Sequence, residues 1–468
     1  MAARVNAGET PAPLTRYEPN RESVRRHQAP DWYHDAKFGI FIHWGPFSIP
    51  AYAPLDHGDI QRILASEGYR SFFRNIPYSE WYVNSIRIKG SPAHEHHLCT
   101  YGSDASYFDF ASQFKRDSAN WQPEPWADLF QSAGARYVVL VTKHMDGFLM
   151  WPSATPNYAR QNYQMDRDVV GLLSEGGPID ERYADYQLAH WKELIDRYHP
   201  SVLWGDIAYP PRTNLFELFA HFYNQIPDGV VNDRWGQLPV WMHRLVRTPP
   251  GRALLNAFAP RILKTGSSGD APVAHYDFRT PEFAVMKEIR AAKWETCRGM
   301  GHGFGYNRQE QDGDYVQLPE LIRMLVDIVS KNGNLLLNVG PMADGTIPEV
   351  QAELLRGVGQ WLKTYGEAIY GTRPWRQAEG TTTTGGSVRF TSRADHHDTV
   401  YAVFMDPLEA GPVTLKGVRV PNTATARDLA TGKPVALCHD EVGLTFVFSD
   451  PPPSSLAHAV AIDQKEAT

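Results

Sequence analysis

The sequence predicts an α/β fold: a (β/α)8-like, TIM-type barrel, irregular with one strand missing, followed by a small antiparallel β-sandwich domain. Three observations carry this. Short all-apolar runs alternate with amphipathic helical stretches, the pattern of a parallel sheet covered on both faces. Each run ends in a polar or charged residue, and the carboxyl ends of barrel strands are where chemistry sits. Past Gly371 the texture changes to alternating β segments with turn signals, which marks an antiparallel unit. We divide the chain into a lead-in over 1–30, a barrel over 31–375 and a β-sandwich over 376–468.

The totals narrow the class. A chain of 468 residues fits one large domain and a smaller one. With 42% hydrophobic and 21% charged residues it reads as an ordinary globular protein. A net charge of −7 argues against a nucleic-acid binder, which must neutralise phosphates. The 13 Trp suit sugar faces as well as cores, and for any single Trp the core reading is the stronger. Cys99, Cys297 and Cys438 form no CxxC pair, so neither a disulfide framework nor a zinc site is expected. Met1 to Asn20 contains no apolar secretory core, and no run reaches membrane-spanning length. The expected location is the cytoplasm.

In chain order, Phe38 to Ile42 is a buried strand ending in His43-Trp44-Gly45. Glu80-Trp81-Tyr82 opens a polar, aromatic loop region running to about Tyr107, in which His94, His96 and His97 read as solvated. A short helix from Trp126 to Gly134 feeds a second strand, Tyr137 to Val141, ending in Thr142-Lys143-His144. Lys143 and Asp146 are expected to position this loop. Apolar residues from Tyr186 to Tyr198 follow helical spacing, and Pro200 stops that helix. The strand Val202 to Trp204 then ends in Asp206 before Pro210-Pro211. A helix over Leu215 to Tyr223 leads to Val230-Val231 and Asn232-Asp233-Arg234-Trp235-Gly236. The basic, Pro-containing stretch 237–274 reads as an insertion or lid. A Gly-rich run reaches Phe304-Gly305-Tyr306-Asn307. Its glycines do not form GxGxxG between a strand and a helix, so no nucleotide site is expected. A last amphipathic helix, Leu318 to Ile328, leads into Leu335 to Gly340.

Asp206 is the leading chemical candidate. A charge at the end of a buried strand is costly unless it is paired or used. Its plain alternative is a carboxylate that holds a neighbouring backbone or Arg. Glycoside chemistry needs a second carboxyl, one group attacking or positioning water and the other protonating the leaving oxygen. From spacing alone Asp233, Glu282, Glu295 and Glu80 all stay open for that role.

The strings FGIFIHWGPFS, EWYVNSIR, AGARYVVLVTKHMDGF, VLWGDIAYP, NDRWG, KWETCRGMGHGFGYN and NGNLLLNVGPMADGTIP are similar to those of glycoside hydrolase family 29, the retaining α-L-fucosidases. The resemblance runs from about Trp32 to Trp375. It implies removal of terminal α-L-fucose by double displacement. It places the nucleophile on Asp206 and the acid/base on Glu282. Sugar-hydroxyl ligands map onto His43, Glu80, Trp81, His144, Trp204 and Arg234, with Ile207 and Phe304 receiving the C6 methyl. No cofactor and no metal are implied. The expected partner is a fucosylated glycoside or oligosaccharide, with neither nucleic acid nor membrane, and a homo-oligomer is compatible with this reading.

Two departures from the family pattern stand out. Met145 replaces a second His after His144. Between Val170 and Tyr183 only twelve residues, Gly171 to Arg182, stand where the family has a helix and a strand. A parallel crossover needs a dozen or more residues before the strand is counted, so one barrel strand is expected to be missing. That gap motivates the alternative expectation of a catalytically weak or inactive, fucose-binding relative.

Overall fold

In a computed structural model of the chain, the described residues are 16–56, 63, 73–155, 181–206, 209–237, 239–246, 248–251, 254, 273–395, 398–451 and 456–464. Six short parallel strands form the first domain: β1 (Phe38–Ile42), β2 (Tyr137–Leu140), β3 (Val202–Leu203), β4 (Val230–Val231), β5 (Trp294–Gly299) and β6 (Gly333–Val339). β1 and β6 are buried along their whole length, as apolar strands covered on both faces must be. One sheet runs β2-β1-β6-β5, and β3 pairs with β4 in another.

Residues 277–283 join the two pieces. Asp277 N donates to Val231 O at 2.9 Å, and Arg279 and Phe283 donate to Lys293 O and Cys297 O at 3.0 and 3.1 Å. The bridges from Arg279 to Trp294 and from Glu282 to Cys297 are parallel. This stretch is therefore a seventh stave, although its Arg, Thr and Pro read as loop in the sequence. Among the described residues the staves follow the circuit β2-β1-β6-β5-(277–283)-β4-β3. Among the described residues no ladder joins β2 to β3, and most of the short stretch between Val170 and Tyr183 lies outside them. The outward-facing Val138 and Leu140 of β2 are 47% and 41% exposed, while Val139 between them points inward and is buried.

Helices cover the rest of the barrel. The helix Leu318–Ser330 buries Leu321, Ile322, Leu325, Val326 and Val329 on one face, the 3- and 4-residue spacing of a core stripe. The region after Glu80 differs from the expected loop. It is helical over Ser79–Trp81, Tyr82–Ser85 and Pro92–Tyr101. Ser91 caps the last of these by accepting from His94 N, with Pro92 in its first turn. His97 is buried there, in contact with the Tyr82 hydroxyl at 3.2 Å and Ala105 O at 3.0 Å, rather than solvated.

The second domain is an antiparallel sheet of eight strands: β7 (Thr372–Thr381), β8 (Ser387–Arg393), β9 (Thr399–Phe404), β10 (Gly411–Lys416), β11 (Thr425–Asp428), β12 (Pro434–His439), β13 (Gly443–Phe448) and β14 (His458–Asp463). Its order is β10-β13-β12-β11-β14-β9-β8-β7, and a bridge between Thr382 and Leu415 brings the two ends of the curl together. Strand alternation splits β9 cleanly. Val400, Ala402 and Phe404 face the sheet's own core with Phe390, Leu415 and Phe446. Tyr401 and Val403 face the barrel's core with Trp361 and Leu362 of the helix Glu349–Tyr365. Trp361 Nε1 donates across that junction to Ala457 O at 2.9 Å.

Candidate active site

β4 ends in three polar residues, each with a separate task. Asn232 accepts from Gly205 N at 2.9 Å and donates to Gly205 O at 2.7 Å, which fixes the turn after β3. A Cβ on Gly205 would lie 2.8 Å from the Trp235 ring, so only glycine lets the chain pass this close and present Asp206. Asp233 accepts from the N and Oγ1 of Thr280 at 3.0 and 2.7 Å, pinning the seventh stave to β4.

Arg234 holds the centre. Its Nε donates to Thr280 Oγ1 at 2.9 Å, and Nη2 donates to Thr280 O at 3.1 Å and to Cys297 Sγ at 3.3 Å. Nη1 is thereby left for both carboxyls, Asp206 Oδ1 at 3.1 Å and Glu282 Oε2 at 3.0 Å. Trp204 lies under the guanidinium, 4.9 Å from ring centroid to Cζ. Burial works against the charge, but Cys297, Glu282, Asp206 and Asp233 outweigh it and raise the guanidinium's pKa. Two oxygens bonded to one nitrogen at these lengths lie no more than about 6 Å apart.

Glu282 is fixed from its other side by the Tyr78 hydroxyl, which donates to Oε1 at 2.9 Å. The next residue, Phe283, has φ 49°, a strained left-handed value for a side chain with a Cβ, and is held by its bond to Cys297 O. Asp206 is the more open of the pair, its side chain 47% exposed against 27% for Glu282.

Around the carboxyls stand fixed polar groups. His43 Nδ1 lies 2.6 Å from Asn338 Oδ1, and Asn338 Nδ2 donates to Phe304 O at 2.5 Å. The amide orientation puts the proton on His43 Nδ1. Burial, with His144 beside it, pushes the His43 pKa down to about 3. The two imidazoles meet edge to face at 5.7 Å. Glu80 is buried and accepts from Gly305 N at 2.8 Å and Phe304 N at 3.3 Å, while burial pushes its pKa up to about 7. Trp81, beside it, stacks on Phe73 at 5.4 Å.

An apolar wall completes the pocket. Phe304 packs with His43, Phe283, Tyr78 and Phe41 at centroid distances of 4.9, 5.4, 5.6 and 6.2 Å. Trp204 turns its ring to Arg234 and sends its indole N–H inward to Glu295. Asp146 fixes the loop after His144 by accepting from the Tyr107 hydroxyl at 2.6 Å and from Phe148 N at 2.9 Å.

Of the residues expected in the site, Asp206, Glu282, Arg234 and Trp204 are brought together through the guanidinium, and His43, His144, Glu80 and Phe304 through the packing just described. Ile207 lies outside the described residues. Glu295 and Asp233, open alternatives for the second carboxyl, serve inward contacts instead. Sequence reasoning missed Tyr78, Thr280, Cys297, Phe41 and Asn338. Of these only Asn338 carried a signal, an amide inside an apolar run.

Two carboxyls facing one guanidinium, at the carboxyl ends of barrel strands and ringed by fixed donors and an apolar wall, are the equipment of a carboxylate-dependent glycosidase. Comparison with known proteins fixes which kind. Residues 5–177 and 174–367 match the α-L-fucosidase family profile. Tissue α-L-fucosidase of Macaca fascicularis is 32% identical over 445 residues, 86% of this chain and 81% of that protein. The α-L-fucosidase of Branchiostoma floridae is 31% identical over 465 residues, 90% of this chain and 88% of that one. The crystal structure of Thermotoga maritima α-fucosidase with a mechanism-based inhibitor covers 96% of this chain and all of that one, at a TM-score of 0.76 and 33% identity. The same enzyme with bound fucose gives a TM-score of 0.74 and 34% identity, with 96% and 100% covered. The chain belongs to the α-L-fucosidase family, glycoside hydrolase family 29.

Proposed function

We propose that this chain removes terminal α-L-fucose from glycosides with retention of configuration, Asp206 acting as nucleophile and Glu282 as acid/base. The observation that carries the reading is the pair of carboxyls on one Nη1. Their bonded oxygens lie within about 6 Å, in keeping with the roughly 5–5.5 Å of retaining enzymes and short of the roughly 6.5–9.5 Å of inverting ones. The fucose and inhibitor complexes of the Thermotoga relative support a fucose-sized pocket here.

In the first step an Asp206 carboxylate oxygen attacks the anomeric carbon while Glu282 gives its proton to the glycosidic oxygen. The C–O bond breaks, the aglycone leaves as an alcohol, and a fucosyl ester forms on Asp206. Glu282, now a carboxylate, takes a proton from water as that water attacks the same carbon and releases Asp206. Tyr78 can serve both states, because a phenol hydroxyl donates to a carboxylate and accepts from a carboxylic acid. His43, His144 and Glu80 offer the polar contacts for sugar hydroxyls, Trp204 its ring face, and Phe304 with Phe41 and Tyr78 the wall for the C6 methyl. Cys99, Cys297 and Cys438 are all unpaired, which supports work in a reducing compartment such as the cytoplasm.

The test is hydrolysis of a coloured aryl α-L-fucoside beside the corresponding β-galactoside, with the first-formed sugar followed by NMR. Cleavage of the fucoside with α-fucose as initial product is expected. Preference for the galactoside, or initial β-fucose, would overturn the reading.

A further inference from the structure

Glu295 takes no part in the reaction above, yet three side-chain donors converge on its carboxylate. It lies on β5 and is fully buried. The hydroxyls of Tyr33 and Tyr137 donate to its Oε2 at 2.8 and 2.5 Å, and Trp204 Nε1 donates to Oε1 at 3.2 Å. Burial pushes its pKa up, and the three donors together with nearby Lys293 pull it back.

The donors come from telling places. Tyr137 opens β2 and Trp204 follows β3, the two strands that no ladder joins among the described residues. One carboxylate therefore gathers a side chain from each of these two strands' ends. Trp204 also lies under Arg234, whose Nη1 holds both reacting carboxyls. A hydrogen bond at one end of the indole thus sets the ring on which the guanidinium rests.

We propose that Glu295 is a positioning residue: it ties β2 to the end of β3 from inside the barrel through Tyr137 and Trp204, and through the Trp204 ring it sets Arg234 against Asp206 and Glu282. The kinetic part of this inference rests on the fucosidase reading; the Glu295–Trp204 tie does not. The reason to expect a rate effect is geometric, since a displacement of about 1 Å at a reacting group can cost roughly a hundredfold.

The experiment compares Glu295→Gln, Trp204→Phe and the double variant with the unmodified chain. Gln keeps the size but offers one acceptor oxygen to three donors, and Phe keeps a ring without the N–H. Each single variant is expected to lose roughly tenfold or more in kcat on an aryl α-L-fucoside. The double variant should lose no more than the worse single, because both changes break one link. In an indole-¹⁵N spectrum the Trp204 signal, identified as the one that Trp204→Phe removes, should shift in Glu295→Gln. An unshifted signal, losses that multiply in the double variant, or kcat within about twofold of the parent in both singles would overturn the proposal. Should Glu295→Gln fail to fold, Trp204→Phe decides alone by its kcat. Should the parent not cleave fucosides at all, the reaction reading has failed, and the indole shift decides the tie on its own.

Discussion

Asp206 and Glu282 share a single nitrogen, Nη1 of Arg234, at 3.1 and 3.0 Å. The arrangement couples unequal parts of the barrel. Asp206 follows β3, which among the described residues pairs only with β4, whereas Glu282 sits on the stave bonded to β5 and β4. Arg234 is anchored by Thr280 and Cys297, and so reaches from that stave and β5 to the carboxylate that follows β3.

Replacing Arg234 with Lys keeps a positive charge and loses the fork. An ammonium is a point charge that cannot serve Thr280, Cys297 and two carboxyls in one plane. We expect kcat/KM on an aryl α-L-fucoside to fall roughly a hundredfold or more, with the folded state retained. Steady-state kinetics and near-UV circular dichroism check this together.

Glu282→Ala should produce a selective loss. Substrates with poor leaving groups need a proton and should slow by about 10²–10⁴-fold, while activated aryl fucosides lose less. The check is a series of aryl fucosides of graded leaving-group acidity. Equal losses across the series would move the acid role to another carboxyl.

Glu80 should make its own contribution to the pH dependence of stability. Its folded pKa is raised to about 7 by burial, above the usual carboxylate value. Between roughly pH 4.5 and 7 the folded state therefore binds a proton that the unfolded state has released, and this contribution falls as pH rises, by up to about 1.4 kcal/mol per unit. His43, pushed down to about 3, acts with the opposite slope below pH 6.5, so the informative quantity is a difference between variants. Glu80→Gln should gain stability relative to the parent as pH goes from 5 to 7.5. Urea unfolding at both values measures it, and an unchanged difference would contradict the assignment.

Much of this site was legible in the sequence, for a physical reason. Asp206 and Arg234 each follow a short apolar strand, and a polar residue there must be paired or used. Glu282 was harder: residues 277–283 carry Arg, Thr and Pro and show no strand pattern, because the stave is made by backbone bonds to its neighbours. Tyr78 was illegible, since its meaning is a contact with a carboxyl 204 positions away. The helix Pro92–Tyr101 was misread as loop because its histidines give no apolar stripe, although Ser91-Pro92 offered a start signal.

The burial pattern of β2 makes a prediction within one strand. Val138 and Leu140 are exposed on β2, and Val139 between them is buried. Val138→Thr with Leu140→Gln should change stability by less than about 0.5 kcal/mol per site, because both side chains are exposed. Val139→Thr, which buries a hydroxyl, should cost about 1–3 kcal/mol. Denaturant midpoints separate the two cases.

The central claim, that Asp206 is the nucleophile of a retaining reaction, is tested most directly by Asp206→Gly with azide. Turnover of an aryl α-L-fucoside should fall by roughly 10³-fold or more when the nucleophile is removed. Added azide, small enough to occupy the space of the lost carboxylate, should restore cleavage and yield fucosyl azide of inverted, β configuration. Unchanged turnover in the variant, or an azide product of α configuration, would contradict the account.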